Sequence, residues 1–169
     1  MGELLLTFHT TSGEETVELG QRLGRALESG DVVALAGELG SGKTWFTKGI
    51  ALGLGVPSDT VVTSPSFSLT NEYQGRCPLF HMDAYRLEQV SDFFSVGLEE
   101  YFYQNGVVVL EWADRWPEIL PDWKLQVDFL IRDADSRTIT LGGNHPRVEE
   151  ILRFLEREGT LGNETALEV

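Results

Sequence analysis

A single cysteine, Cys77, stands in the 169 residues of the chain. That excludes an internal disulfide and thiolate metal clusters, and it fits a reducing compartment. Lysine is almost as scarce, with three in all, and the 13 basic residues face 27 acidic ones for a formal net charge of −14. A protein that grips RNA or DNA by itself draws much of its affinity from neutralising phosphates. The charge balance therefore argues against tight, direct nucleic-acid binding and for a partner protein with a basic face. No apolar run is long enough to span a membrane. The N-terminus, Met1 to Phe8, lacks the basic region of a secretory signal, so a cytoplasmic protein is expected. His9, His81 and His145 have no metal-ligand spacing.

What is present begins with Gly37-Glu38-Leu39-Gly40-Ser41-Gly42-Lys43-Thr44, a complete G-x-x-x-x-G-K-[ST] phosphate loop. It follows the apolar run Val32-Val33-Ala34-Leu35-Ala36 and precedes a segment from Trp45 to Leu52 that can be helical. Strand, loop and helix in that order turn the string into a nucleotide site. Glycines let successive backbone N–H groups turn inward around phosphate oxygens. The helix N-terminus adds partial positive charge. Lys43 reaches the β- and γ-phosphates, and the Thr44 hydroxyl ligates magnesium.

The rest of the chain alternates helices and strands. A strand over Leu4–Phe8 leads to a helix capped by Thr11 or Ser12, with Glu15 completing a capping box if Ser12 is the cap. Leu19, Leu23, Ala26 and Leu27 share one face of that helix. Val61-Val62-Thr63 is strand-like, and Phe67, Leu69 and Tyr73 alternate with polar residues. Gln74-Gly75-Arg76 then turns into a returning strand from Cys77 to Met82. Asp92 to Phe102 reads as wholly or partly helical. Val107–Leu110 has the continuous apolar character of a central parallel strand. Leu125, Val127, Phe129 and Ile131 alternate, as do Ile139 and Leu141 after a turn, which predicts a hairpin. Pro146 opens a last helix. The expectation is one α/β domain of the P-loop NTPase type over residues 1–158, followed by a short mobile tail over 159–169. Its central, mostly parallel sheet is flanked by helices and carries antiparallel hairpin additions.

Hydrolysis needs carboxylates near magnesium and the γ-phosphate. In open α/β sheets such groups sit at the carboxyl ends of strands. Glu111 follows Val107–Leu110, and Asp83 follows Leu79–Met82. Either can hold the ion while the other orients water; the bland alternative is a helix cap or an arginine partner. Ser64-Pro65 suits a constrained loop that senses the γ-phosphate, or a plain strand entry. Trp112 and Trp116 flank the site, though aromatics more often serve core or interface. A small-molecule or nucleotide kinase can use the same loop, but an Arg-rich lid is missing. A GTPase would show N-K-x-D and D-x-x-G, and the chain has neither. A scaffold that binds ATP and scarcely hydrolyses it is not separable from a slow ATPase by sequence.

Four segments in order resemble the bacterial TsaE family, formerly YjeE. They are Ala36–Thr44 as its phosphate loop, Ser64–Tyr73 as its S-P-T-F-x-L-x-x-x-Y segment, His81–Leu87 as H-x-D-x-Y-R-L, and Val109–Trp112 as apolar-E-W. The resemblance spans roughly residues 1 to 142. It implies an ATPase, with ATP/ADP and Mg2+ as cofactors, needed for threonylcarbamoyladenosine formation beside the anticodon of tRNAs that read codons starting with A. It also implies action with TsaB and TsaD, the latter carrying the transfer chemistry. By the same resemblance, Gly40, Ser41, Gly42, Lys43, Thr44 and Trp45 would hold the phosphates. Thr44 and Glu111 would bind magnesium, with Asp83 behind them or on the ion in another state. Thr11 and Arg137 would line base and sugar. The chain departs from the pattern at Trp45, where threonine is expected, at Ser66 and Ser68, which replace threonines, and in the segment Ala113–Glu118 that follows Glu111-Trp112.

Overall fold

The computed structural model describes residues 3–65 and 69–158 in full and 164–168 as backbone. In chain order the elements are β1 (Leu4–Thr10), α1 (Gly13–Ala26), β2 (Val32–Ala36), α2 (Lys43–Gly53), β3 (Thr70–Gln74), β4 (Pro78–Asp83), α3 (Val90–Ser95), β5 (Val107–Glu111), β6 (Leu125–Ile131), β7 (Arg137–Gly143), α4 (Pro146–Arg157) and β8 (Glu164–Glu168). The eight strands form one sheet in the order β3-β4-β5-β2-β6-β7-β1-β8. The inner pairings β4–β5, β5–β2 and β2–β6 are parallel. The flanking pairings are antiparallel, and they include both hairpins expected from the alternation. Strand β8 comes from the segment expected as a tail and pairs with the outer edge of β1.

Every residue of β2 and of β5 is buried, because parallel strands covered on both faces need apolar side chains throughout. Two cores result. One, with Leu6, Leu23, Leu35, Phe46, Ile50 and Leu152, lies under α1, α2 and α4. The other, with Ala34, Met82, Phe93, Phe102 and Leu110, lies under α3 and the short 3₁₀ segments.

Ser12 caps α1, its Oγ accepting from Glu15 N at 3.1 Å. Glu15 does not return the bond to Ser12; its carboxylate accepts from Thr11 N at 2.7 Å and Thr11 Oγ1 at 3.1 Å. The stretch read as wholly or partly helical over Asp92–Phe102 is partly so: Gly97, with φ of +74°, separates α3 from the 3₁₀ segment Leu98–Tyr103.

Val61–Thr63 is not a strand, despite its β-branched run. Side chains of β3 bond the backbone of Thr63 instead: Asn71 Nδ2 donates to Thr63 O at 3.0 Å, and Thr63 N donates to Tyr73 Oη at 3.3 Å. The expected alternation through Phe67, with Ser66 and Ser68, lies outside the described residues.

The closest helix contact joins α1 to α2. A Cβ on Gly20 would overlap Phe46 O, and one on Gly49 would overlap Val17 O. Helices whose backbones meet this closely tolerate only glycine at the crossing. That seam seats the N-terminus of α2, with Lys43 and Thr44, at the carboxyl end of β2. Registers Leu35↔Glu111 and Asp83↔Glu111 bring the ends of β4 and β5 to the same edge of the sheet.

Candidate active site

The phosphate loop leaves β2 at Gly37 and enters α2 through Gly42. Gly40 and Gly42 adopt φ of +79° and +103°, values that residues with a Cβ rarely reach. Space opens over both: a Cβ on Gly40 would meet nothing within 4 Å, and one on Gly42 would meet only a Thr16 methyl at 3.7 Å. The loop is braced from behind. Arg137, on the late hairpin, donates from Nε to Ser41 O and from Nη2 to Gly40 O, each at 3.1 Å.

Lys43 Nζ is held by its own loop, donating to Gly37 O at 2.6 Å, Glu38 O at 3.0 Å and Ser41 Oγ at 3.3 Å. It also lies 4.1 Å from the centre of the Trp112 ring, a cation–π contact. Burial lowers its pKa, partly offset by the charges of Glu111, Asp114 and Asp83. An ammonium desolvated beside open backbone N–H groups is a strong attractor for phosphate.

Two carboxylates face it. Glu111 is almost fully buried, and its Oε2 lies 3.0 Å from His81 Nε2 and 2.8 Å from Ser64 Oγ. Burial alone would raise the Glu111 pKa; the hydrogen bond and charge of His81, the Ser64 hydroxyl and the Lys43 charge outweigh it, so the carboxyl sits below its usual range. Asp83 Oδ2 lies 2.7 Å from the same Ser64 Oγ, and its Oδ1 accepts from Tyr85 N at 2.8 Å. Thr44 Oγ1 stands 3.4 Å from Glu111 Oε1.

The Ser64 hydroxyl has one hydrogen, yet it stands between two acceptor-only carboxylates. One of them always lacks a donor there, which leaves a carboxylate oxygen open to another partner next to the Thr44 hydroxyl. That arrangement fits magnesium, which takes one or two carboxylates and a hydroxyl and completes its shell with water and phosphate oxygens. Among the described residues no group of three His, Cys, Asp or Glu side chains forms a metal cage; magnesium with a nucleotide does not require one.

Gly40, Ser41, Gly42, Lys43, Thr44, Trp45, Asp83 and Glu111 thus line one cavity of about 540 Å³, joined by Ser64, Tyr85, Arg86 and Trp112. That volume lies in the range of small-molecule sites. Arg137 is not on its wall. It reaches a smaller cavity across the loop, with Trp45 on the wall of both. Thr11 is absent from either lining, its N–H and hydroxyl being engaged by Glu15.

Two residues were undervalued from sequence. His81, set aside for lack of metal-ligand spacing, is buried beneath Glu111. The available signal was its place two residues before Asp83, which puts both on one face of β4. Trp112 has φ of +60°, an uncommon conformation for a bulky residue that costs of order 1–3 kcal/mol. It lets the chain turn sharply after Glu111, with the ring over Lys43.

A family model described as threonylcarbamoyl adenosine biosynthesis protein TsaE matches residues 10–139. The tRNA threonylcarbamoyladenosine biosynthesis protein TsaE of Treponema pallidum is 43% identical over 130 residues, 77% of this chain and 95% of that one. Its namesake from Bacillus subtilis is 40% identical over 159 residues, 94% of this chain and 98% of that one. The crystal structure of Bacillus subtilis YdiB has the same fold, with a TM-score of 0.76 and 37% identity, covering 91% of this chain and 95% of that one.

Proposed function

This chain belongs to the TsaE family of threonylcarbamoyl adenosine biosynthesis proteins, and we propose that within that tRNA-modification pathway it is a magnesium-dependent ATPase acting on the TsaB–TsaD complex in the cytoplasm. The observation that carries the reading is the convergence of the Gly37–Thr44 loop with Ser64, Asp83 and Glu111 at the carboxyl edge of the sheet.

ATP lies with its phosphates along the backbone N–H groups of Gly40 to Trp45. Lys43 exchanges the loop carbonyls it now binds for β- and γ-phosphate oxygens. Thr44 and Glu111 would hold magnesium, with Asp83 beside them. When bound, the ion neutralises phosphate charge and polarises the γ-phosphoryl group. Asp83 and Ser64 are placed to orient the attacking water. Water oxygen bonds to the γ-phosphorus, the bond to the β–γ bridging oxygen breaks, and ADP leaves with phosphate.

The net charge of −14 supports a role beside tRNA rather than on it, with contact through protein partners. Turnover by the chain alone is slow, as for P-loop proteins whose site a partner completes. The test is magnesium-dependent ATP hydrolysis by the purified chain, alone and with TsaB and TsaD. A low rate that rises in the mixture supports the reading. An unchanged rate, with nucleotide binding verified, favours a kinase that uses the same loop.

A further inference from the structure

Arg76 stands in the turn between β3 and β4, at the amino edge of the parallel strands and opposite the edge that carries the phosphate loop. Its guanidinium donates to the closing carbonyls of two helices at once. Nη1 donates to Gly53 O of α2 at 2.9 Å, and Nη2 donates to Gly24 O of α1 at 2.9 Å and to Leu27 O just beyond that helix. The last carbonyls of a helix have no partner within it, and a cation there also meets the negative end of the helix dipole. The turn itself sits on the end of α2: Arg76 N donates to Leu54 O at 2.7 Å, and a Cβ on Gly75 would overlap the same oxygen.

This fastening bears on β3 above all. β3 is the edge strand of the sheet and pairs on one side only, with β4. Its side chains Asn71 and Tyr73 bond the backbone of Thr63, and Tyr73 and Val62 pack against the core under α1 and α2. The next residue is Ser64, whose hydroxyl stands between Asp83 and Glu111. A continuous path of contacts therefore runs from the guanidinium through β3 and Thr63 to that hydroxyl.

Two regular elements join the same bracket to the site. α2 begins at Lys43 and Thr44 and ends at Gly53, which Arg76 binds; β4 leaves the turn at Pro78 and ends at Asp83. The 11 residues of α2 put about 16 Å between the bracket and the phosphate loop, so Arg76 touches no nucleotide. A lysine could not replace it, because a single ammonium lacks the planar fork that reaches both helix ends.

Resting on the reading of Ser64, Asp83 and Glu111 as the hydrolytic edge of the site, we propose that Arg76 is a positioning residue for ATP hydrolysis. It fastens the β3–β4 turn to the ends of α1 and α2, and through Asn71, Tyr73 and Thr63 it keeps Ser64 between the two carboxylates. The phosphate loop does not depend on it, since β2 and Arg137 hold that loop directly.

The experiment measures magnesium-dependent ATP hydrolysis, and ATP affinity by calorimetry, for the full chain and its Arg76→Ala, Arg76→Lys, Ser64→Ala and Arg76→Ala/Ser64→Ala variants. All are compared at a temperature where circular dichroism shows each to be folded; Arg76→Lys carries the test where Arg76→Ala does not fold. Arg76→Ala is expected to lower kcat roughly 2- to 30-fold while ATP affinity stays near the wild-type value, and Arg76→Lys to recover little. In the Ser64→Ala background, loss of Arg76 should change kcat no further, because both substitutions break the same path. Wild-type kcat in folded Arg76→Ala overturns the proposal, and so do losses that simply add, since a helix cap alone would lower the melting temperature without passing through Ser64. Hydrogen exchange separates this from the ATPase reading. Faster exchange of the Thr63 amide in Arg76→Ala, with α2 still protected, supports the bracket even if the wild-type chain hydrolyses no ATP, which would overturn the ATPase reading alone; unchanged protection of Thr63 overturns the bracket.

Discussion

His81 Nε2 lies 3.0 Å from Glu111 Oε2, and both side chains are buried, on neighbouring parallel strands in which His81 pairs with Val109 and Asp83 pairs with Glu111. The imidazole fixes one carboxylate oxygen and leaves Oε1 turned toward Thr44. Under the proposed ATPase reading, histidine would act through the carboxylate and not as a ligand. His81→Phe should keep the fold's volume while freeing Glu111, and should lower ATP hydrolysis by about 10- to 100-fold, the usual loss when a partner behind a metal ligand is removed. A magnesium titration of the rate is the check: the half-saturating magnesium should rise, whereas a purely structural defect would lower the rate at all magnesium concentrations alike.

Glu111→Gln should go further. If Glu111 holds the ion, hydrolysis should fall by more than the ~10–100-fold expected for His81, while ATP affinity measured without magnesium stays near the wild-type value. Lys43→Ala provides the contrast, since it removes a phosphate contact and should weaken binding and rate together. Equal loss of affinity and rate in Glu111→Gln would place the carboxylate in the fold rather than in the chemistry.

The sign of the pH dependence follows from the lowered Glu111 pKa. A carboxyl whose pKa is lower folded than unfolded binds fewer protons in the native state, so it stabilises the fold above its unfolded pKa, near 4.5, and that stability disappears as pH falls through the folded value. Urea unfolding of wild type and Glu111→Gln at pH 7 and at pH 3 should therefore show a difference in stability that shrinks at the lower pH. A difference that stays constant would mean that the bonds to His81 and Ser64 do not favour the ionised form.

Much of this site was legible because each part obeys a local rule. The apolar run before Gly37 and the helix after Thr44 define the loop, and strand ends at the carboxyl edge identify Asp83 and Glu111. What was not legible depends on three-dimensional register. His81 reaches Glu111 only because β4 and β5 pair as they do. Val61–Thr63 has β-branched residues, but Asn71 and Tyr73 bond the backbone of Thr63 and no ladder forms. Arg137 lies 96 residues from Ser41 in sequence, so its grip on the loop could not be read from spacing. Arg137 also lines the smaller cavity across the loop, beside Ser12, Thr16 and Trp45.

Arg137→Ala should loosen the loop without unfolding the protein. Two guanidinium bonds to Gly40 O and Ser41 O vanish, and bonds from a charged donor contribute about 1.5–3 kcal/mol each at most. Affinity for ATP and for tripolyphosphate should fall together, as expected when the phosphate loop itself is loosened. Arg137→Lys should restore little, because an ammonium cannot span both carbonyls with a planar fork. Full recovery with lysine would show that charge alone matters at this position.

The seam between α1 and α2 yields a prediction whose sign opposes helix propensity. Glycine within an exposed helix costs roughly 0.5–1 kcal/mol relative to alanine, so Gly49→Ala should stabilise α2 if the helix stood alone. In the fold a Cβ there overlaps Val17 O, and the same holds for Gly20 against Phe46 O. The obstacles are backbone carbonyls, which cannot swing aside as a side chain would. Gly49→Ala is thus expected to destabilise by about 1–3 kcal/mol, the usual cost of overpacking, and to lower the melting temperature by several degrees. Gly13→Ala is the control, since its Cβ would find only ordinary contact with the Trp45 ring at 3.7 Å; its melting temperature should be unchanged or slightly raised. Because α2 begins with Lys43 and Thr44, a helix pushed away from α1 also displaces the phosphate loop, so Gly49→Ala should bind ATP more weakly even at temperatures where it remains folded. A variant as stable and as tight-binding as wild type would show that the two helices slide freely, and that the loop is positioned by β2 and Arg137 alone.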